Sequence, residues 1–89
     1  VSQTKEGLEA SISTLVISIG STAVMSLGLA PNPNTGKTEK DLNLAKFNID
    51  LLVMLQEKTQ GNLSEDEEKL VGHVINDLQV KYVNENKPS

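Results

Sequence analysis

Few side chains in this sequence could do chemistry. Asn34-Thr35-Gly36-Lys37-Thr38 has the ending of a phosphate-binding loop, G-x-x-x-x-G-K-[ST], in which glycine amides and a lysine cradle phosphates. Pro31 stands where the first glycine belongs, no strand precedes it, and no apolar strand ending in Asp follows to hold magnesium. The segment is therefore expected to be a helix-to-helix turn with Lys37 solvated. Glu65-Asp66-Glu67-Glu68 lacks the alternating oxygen donors and central glycine of a calcium loop and reads as a solvated first turn. His73 and Asp77 stand four apart, the spacing of a general-base pair on a helix. With no cysteine, no nearby serine and no evident pocket, they read as a surface pair. Asn48 sits among apolar residues, either as a ligand-binding amide or as a buried polar group that fixes register or partner choice; the second reading is preferred. No catalytic constellation results, so the chain is expected to be non-enzymatic, without cofactor or metal.

The elements that would position these residues are short. Eighty-nine residues allow one small domain, a size at which association often supplies missing stability. The absence of cysteine excludes a disulfide framework or thiolate metal site and suits a reducing cytoplasm. The net charge is −4 and all eight basic residues are lysine, so the forked guanidinium that reads phosphates and base edges is missing. Phe47 and Tyr82 are the only aromatics, which removes a stacking platform for single strands. Nucleic acid is excluded as an expected partner. Val1 to Glu9 carries Lys5, Glu6 and Glu9, unlike the basic start of a secretory signal, and reads as a flexible arm over residues 1–9.

The chain is organised around Ala10 to Gly36, which contains no charged residue. A first helix over 10–28 is expected, with Thr4, Ser11 and Ser13 as candidate N-caps. Ile12, Leu15, Val16, Ile19, Ala23 and Leu27 share its core stripe. Its other side carries Thr14, Ile17, Ser18, Ser21, Val24, Met25 and Gly28, where a surface helix of a monomer would show Lys and Glu. These seven are the candidate interface. Gly28 suits the C-terminal end, and Pro31 and Pro33 forbid continuation.

A second helix is expected over 41–60, capped by Asp41 with Thr38 as a rival, and ending at Gly61 as its C′ residue. Leu44, Phe47, Leu51, Met54 and Leu55, with Ala45, Ile49 and Leu52, cover more than half its circumference, which predicts burial on two sides. Ser64 to Glu67 has the form of a capping box and starts a third helix over 64–83. Leu70, Val71, Val74, Ile75, Leu78 and Tyr82 form its single core stripe. The expected fold is all-α: a helix–helix hairpin plus an N-terminal apolar helix, in one domain over 10–84 with a frayed tail over 85–89, assembled as an oligomeric bundle.

Leu15-Val16-Ile17-Ser18-Ile19, Leu27-Gly28 and the Pro31-to-Thr38 turn, followed by Ile49-Asp50-Leu51-Leu52, Lys58-Thr59-Gln60-Gly61-Asn62-Leu63 and Leu78 with Tyr82-Val83, resemble the small bacterial domain-of-unknown-function family 1844. The resemblance runs from Ile12 to Val83. It implies a bacterial cytoplasmic protein and brings no established activity. Members of that family often have an Arg near position 79 or 81 and a Phe near position 12, where this chain has Gln79, Lys81 and Ile12.

Three functions compete. The first is a self-associating protein-interaction module, most simply a homodimer, with another protein as a further partner. The second is a membrane-associated protein that inserts residues 12–30, close to the roughly 20 residues a span needs. Its serines and threonines and the lack of a basic or aromatic flank weigh against it. The third is a small-ligand binder at the Pro-Asn-Pro turn and Asn48. The first is favoured because it alone gives both apolar helices cover.

Overall fold

A computed structural model describes residues 11–87; the expected arm over 1–9, residue 10 and the last two residues of the tail lie outside them. Among the described residues the chain forms three helices, α1 Ile12–Ser26, α2 Leu42–Lys58 and α3 Glu65–Glu85. Each pair of helices is in contact, so the bundle is closed. The fold is all-α, as the periodicities predict.

Local chemistry starts and stops the helices. Ser11 caps α1, its side chain accepting from the Thr14 amide at 3.1 Å. Asp41 Oδ1 does the same for the Leu44 amide at 3.1 Å, which decides against Thr38. At α3 the capping box is reciprocal: the Glu67 amide donates to Ser64 Oγ at 3.2 Å and the Ser64 amide to Glu67 Oε1 at 2.8 Å. Two of the amides left over at a helix start are thereby satisfied.

α1 ends in a Schellman motif. The Gly28 amide donates to the Met25 carbonyl at 3.0 Å and the Leu29 amide to the Val24 carbonyl at 3.2 Å, with Gly28 at φ +79°. That left-handed conformation suits glycine and lets the two amides donate to otherwise orphan carbonyls at little cost. The chain then makes a loop whose base is closed by the Asp41 amide on the Ser26 carbonyl at 2.7 Å and by one isolated antiparallel bridge, Leu27 to Lys40. α2 stops two residues earlier than expected. Thr59 is its C-cap, so Gly61 is not C′ but the third residue of a turn closed by the Asn62 amide on the Thr59 carbonyl at 2.9 Å. α3 runs past the expected end to Glu85, which is helical and not part of a frayed tail; its carboxylate takes Lys40 Nζ at 2.9 Å.

The core draws three residues from each part of the chain: Val16, Ala23 and Leu27; Ala45, Ile49 and Leu52; Val71, Ile75 and Leu78. Leu27, Leu52 and Leu78 are its largest fully buried side chains, each worth about 1.5–3 kcal/mol relative to exposure. Two expectations about faces are met only in part within one chain. Leu15, expected in the core stripe of α1, is 45% exposed, while Gly20 and Ser26 are buried. The buried line is thus Val16, Gly20, Ala23 and Leu27. A Cβ at Gly20 would stand 3.2 Å from Val74 Cγ1, so this glycine lets α1 and α3 close on each other and rotates Leu15 outward. α2, expected to be covered on two sides, is covered on one: Leu44, Phe47 and Met54 are 44%, 57% and 45% exposed, because one bundle of three helices has no fourth element to lay against them.

Candidate functional site

The seven candidate interface residues of the first helix have different surroundings within the chain. Thr14, Ile17, Ser18 and Ser21 are exposed, and Val24, Met25 and Gly28 are half-buried. Ile17, Ser21, Val24 and Met25 form one wall of an open groove of about 490 Å³. Val74, Asp77 and Leu78 of α3 form the facing wall, and Pro31 and Pro33 border it. The remaining three have other surroundings. Thr14 Oγ1 accepts from Ser11 Oγ at 3.0 Å, the Ser18 carbonyl takes a second donor from Thr22 Oγ1 at 3.2 Å, and Gly28 is the left-handed turn residue.

The groove walls are mostly apolar. Asp77 is the one ionisable residue among the described residues that line the groove, and both its oxygens accept from Lys81 Nζ, at 2.8 and 2.7 Å. The expected His73–Asp77 pair is therefore replaced by an Asp77–Lys81 pair one turn further on, and both His73 and Asp77 are exposed. This arrangement offers apolar contact and close approach.

Asn48 lies elsewhere. It is 7% exposed, and its Nδ2 donates to the Leu44 carbonyl at 2.9 Å within α2. No buried side-chain oxygen or nitrogen among the described residues lacks a partner. The structure thus does not join Asn48 to the proline turn as the ligand-binding reading requires: the groove meets Pro31 and Pro33 without Asn48.

The glycine-lysine turn spends its own donors. The Thr35 and Gly36 amides donate to the Asn32 carbonyl at 3.2 and 2.7 Å, the Asn34 amide to Asn32 Oδ1 at 2.8 Å, and the Lys37 amide to Thr35 Oγ1 at 3.2 Å. Amides so committed do not converge on a phosphate. In the acidic first turn of α3, Glu67 serves the capping box and Glu65 stands 3.9 Å from Lys69. No group of three metal-ligating side chains forms among the described residues.

A second apolar surface runs along α2, where Leu44, Phe47, Leu51 and Met54 follow one another at intervals of three, four and three residues; Leu51 is half-buried and the other three are exposed. Asp50 flanks this strip and holds Lys46 Nζ at 3.0 Å. Its hydrogen bond and then its charge raise the Lys46 pKa above the ordinary lysine value.

Sequence reasoning found Ile17, Ser21, Val24 and Met25 through the missing charge on their face. It missed Gly20, Val74 and the two prolines as groove residues. Val74 carried only the signature of core packing, and nothing local relates residues 31–33 to residue 74. No helix of the described residues is long and apolar enough to cross a membrane; the segment that the competing membrane reading would insert, residues 12–30, is helical for 15 residues and then turns.

No curated protein and no solved structure matches the chain. A family profile does, over residues 9–84, a span that takes in all of α1 and α2 and nearly all of α3, together with the groove and the loop beside it. The chain belongs to the family described as Domain of unknown function (DUF1844).

Proposed function

We propose that this protein is a non-enzymatic, self-associating helical module, a twofold homodimer that pairs through the outward face of α1 around Ser21. One observation carries the reading: Ile17, Ser21, Val24 and Met25 border an apolar groove on a helix that has no charged side chain. Two copies of a chain with net charge −4 meet least repulsion where neither carries charge. Isologous pairing of one patch with itself is the commonest closed solution. With the twofold axis near Ser21 and the helices antiparallel, Ile17 of each copy lies opposite Met25 of the other, and Ile17, 54% exposed, has the other copy's groove to fill. The lack of cysteine suits the reducing bacterial cytoplasm.

Light scattering on the purified chain at low and high micromolar concentration tests this. A dimer mass is expected, and Ser21→Glu is expected to split it by placing carboxylates in an apolar contact. A monomer mass throughout that range overturns the proposal. The groove also has the volume typical of small-molecule sites, so an apolar ligand is the second reading. It replaces the first if the unmodified chain is monomeric and an apolar compound raises its melting temperature.

A further inference from the structure

We infer that the outward face of α2 is a docking strip for an amphipathic helix of another protein, one whose flank carries Lys or Arg. This surface is separate from the α1 face and does not rest on the dimer. Its residues Leu44, Phe47, Leu51 and Met54 have the three-four-three spacing of a knobs-into-holes seam, yet they are not the residues that face the bundle core, which are Ala45, Asn48, Ile49 and Leu52. α2 therefore carries two stripes, one satisfied inside the chain and one not. Phe47 at 57% exposure is the most exposed large apolar side chain among the described residues, the kind of aromatic anchor around which helix-in-groove contacts are built.

Charge identifies the occupant. Asp50 and Glu57, with the neutral Asn43 before them, recur every seven residues along the flank of the strip nearer α3, and all three are exposed. Glu57 makes no ion pair among the described residues, and Asp50 is held by Lys46 in a pair whose side chains are 62% and 61% exposed, which a partner's cation can replace at little cost. Lys58 ends the strip, where its stem can lie along a partner while its ammonium stays in water.

A second copy of this chain fits poorly. In the antiparallel register that seats Leu44 on Met54 and Phe47 on Leu51 of the other copy, Asp50 approaches its own counterpart. A parallel pair sets Asp50 and Glu57 of each copy toward the side on which the other carries α1, whose Thr22, Met25 and Ser26 stand beside Leu44 and which has no charged residue to answer them. A basic-flanked helix removes both conflicts and is drawn in by the net charge of −4. The strip is short, so the contact belongs to the small, transient class of interfaces.

The test titrates the full chain with a fluorescent helical peptide that has Leu at three-four spacing and Lys along one flank, and with a twin carrying Glu at the Lys positions. The Lys peptide is expected to bind at least about tenfold more tightly than its twin, and to weaken as salt is raised. Phe47→Ala, at an exposed site, is expected to cost about tenfold or more. Glu57→Lys should lower affinity for the Lys peptide without changing the circular dichroism spectrum. Equal binding of the two peptides, binding of neither, or indifference to Phe47→Ala overturns the inference. So does a fall in the molecular mass of the free chain on Phe47→Ala, since that would show a second copy on the strip. A Ser21→Glu chain that is monomeric yet still binds the Lys peptide separates this surface from the α1 dimer.

Discussion

Gly28 and Lys40 pack backbone against backbone: a Cβ at Gly28 would lie 3.2 Å from Lys40 Cβ and 3.5 Å from its Cα. This approach joins the end of α1 to the start of α2, beside the Leu27–Lys40 bridge and the hydrogen bond from Asp41 to Ser26. Lys40 reaches onward to Glu85 at 2.9 Å, so one residue pair ties the loop base to the far end of α3. The loop leaves and returns at the same point, and its prolines thereby come to border the groove.

Gly28→Ala is therefore expected to lower unfolding stability by about 1–2 kcal/mol, the cost of a left-handed residue with a Cβ, and by more if Lys40 cannot yield. Gly36→Ala is the control, because Gly36 has φ +72° but nothing within 4 Å of its would-be Cβ. Denaturant midpoints of the two variants should differ, with Gly28→Ala the lower. Equal midpoints would mean that the contact with Lys40 contributes nothing.

Ser64→Ala removes the acceptor of the Glu67 amide and half of the reciprocal cap. Stability is expected to fall by about 0.5–2 kcal/mol with an unchanged denaturant slope, since no core residue is touched. An unshifted midpoint would show that water replaces the cap at no cost.

Asn48→Leu tests what a buried amide is for. The Leu44 carbonyl already accepts the helical hydrogen bond from the residue 48 amide, so removing Nδ2 leaves no orphan acceptor. Stability is expected to hold or rise within about 1 kcal/mol, while the oligomer distribution in light scattering broadens if the amide restricts partner choice. A loss above about 2 kcal/mol would instead mark Asn48 as a structural requirement.

Lys37→Ala should leave the midpoint within about 0.5 kcal/mol and the oligomer mass unchanged, because Lys37 is exposed and its backbone, not its ammonium, holds the turn. Calorimetry with ATP is expected to give no saturable heat. Saturable binding that Lys37→Ala abolishes would refute this account of the loop.

The amino-acid sequence by itself determined where α3 begins and where α1 stops, and it named Ser11 and Asp41 among the candidate caps of α1 and α2, because those events depend on groups a few residues apart; it set the ends of α2 and α3 elsewhere than Lys58 and Glu85. Ser64 with Glu67, Asp41 with Leu44, and Gly28 ahead of Pro31 act through bonds local to the chain. It also determined the uncharged character of α1, from which four of the groove residues followed. The larger errors were faces. α1 and α2 each carry apolar residues over more of the wheel than one bundle can bury, and the hydrophobic effect is non-directional, so composition alone does not rank adjacent stripes. Leu15 lies beside Val16 in sequence, yet only Val16 is enclosed. That choice was made by the close approach of α1 to α3 at Gly20 and Val74, a contact between residues 54 positions apart. The same packing left Phe47 outside and Asn48 inside, and it set Pro31 beside Val74 in one groove; only the tertiary structure decides such neighbours, because they share no local bond.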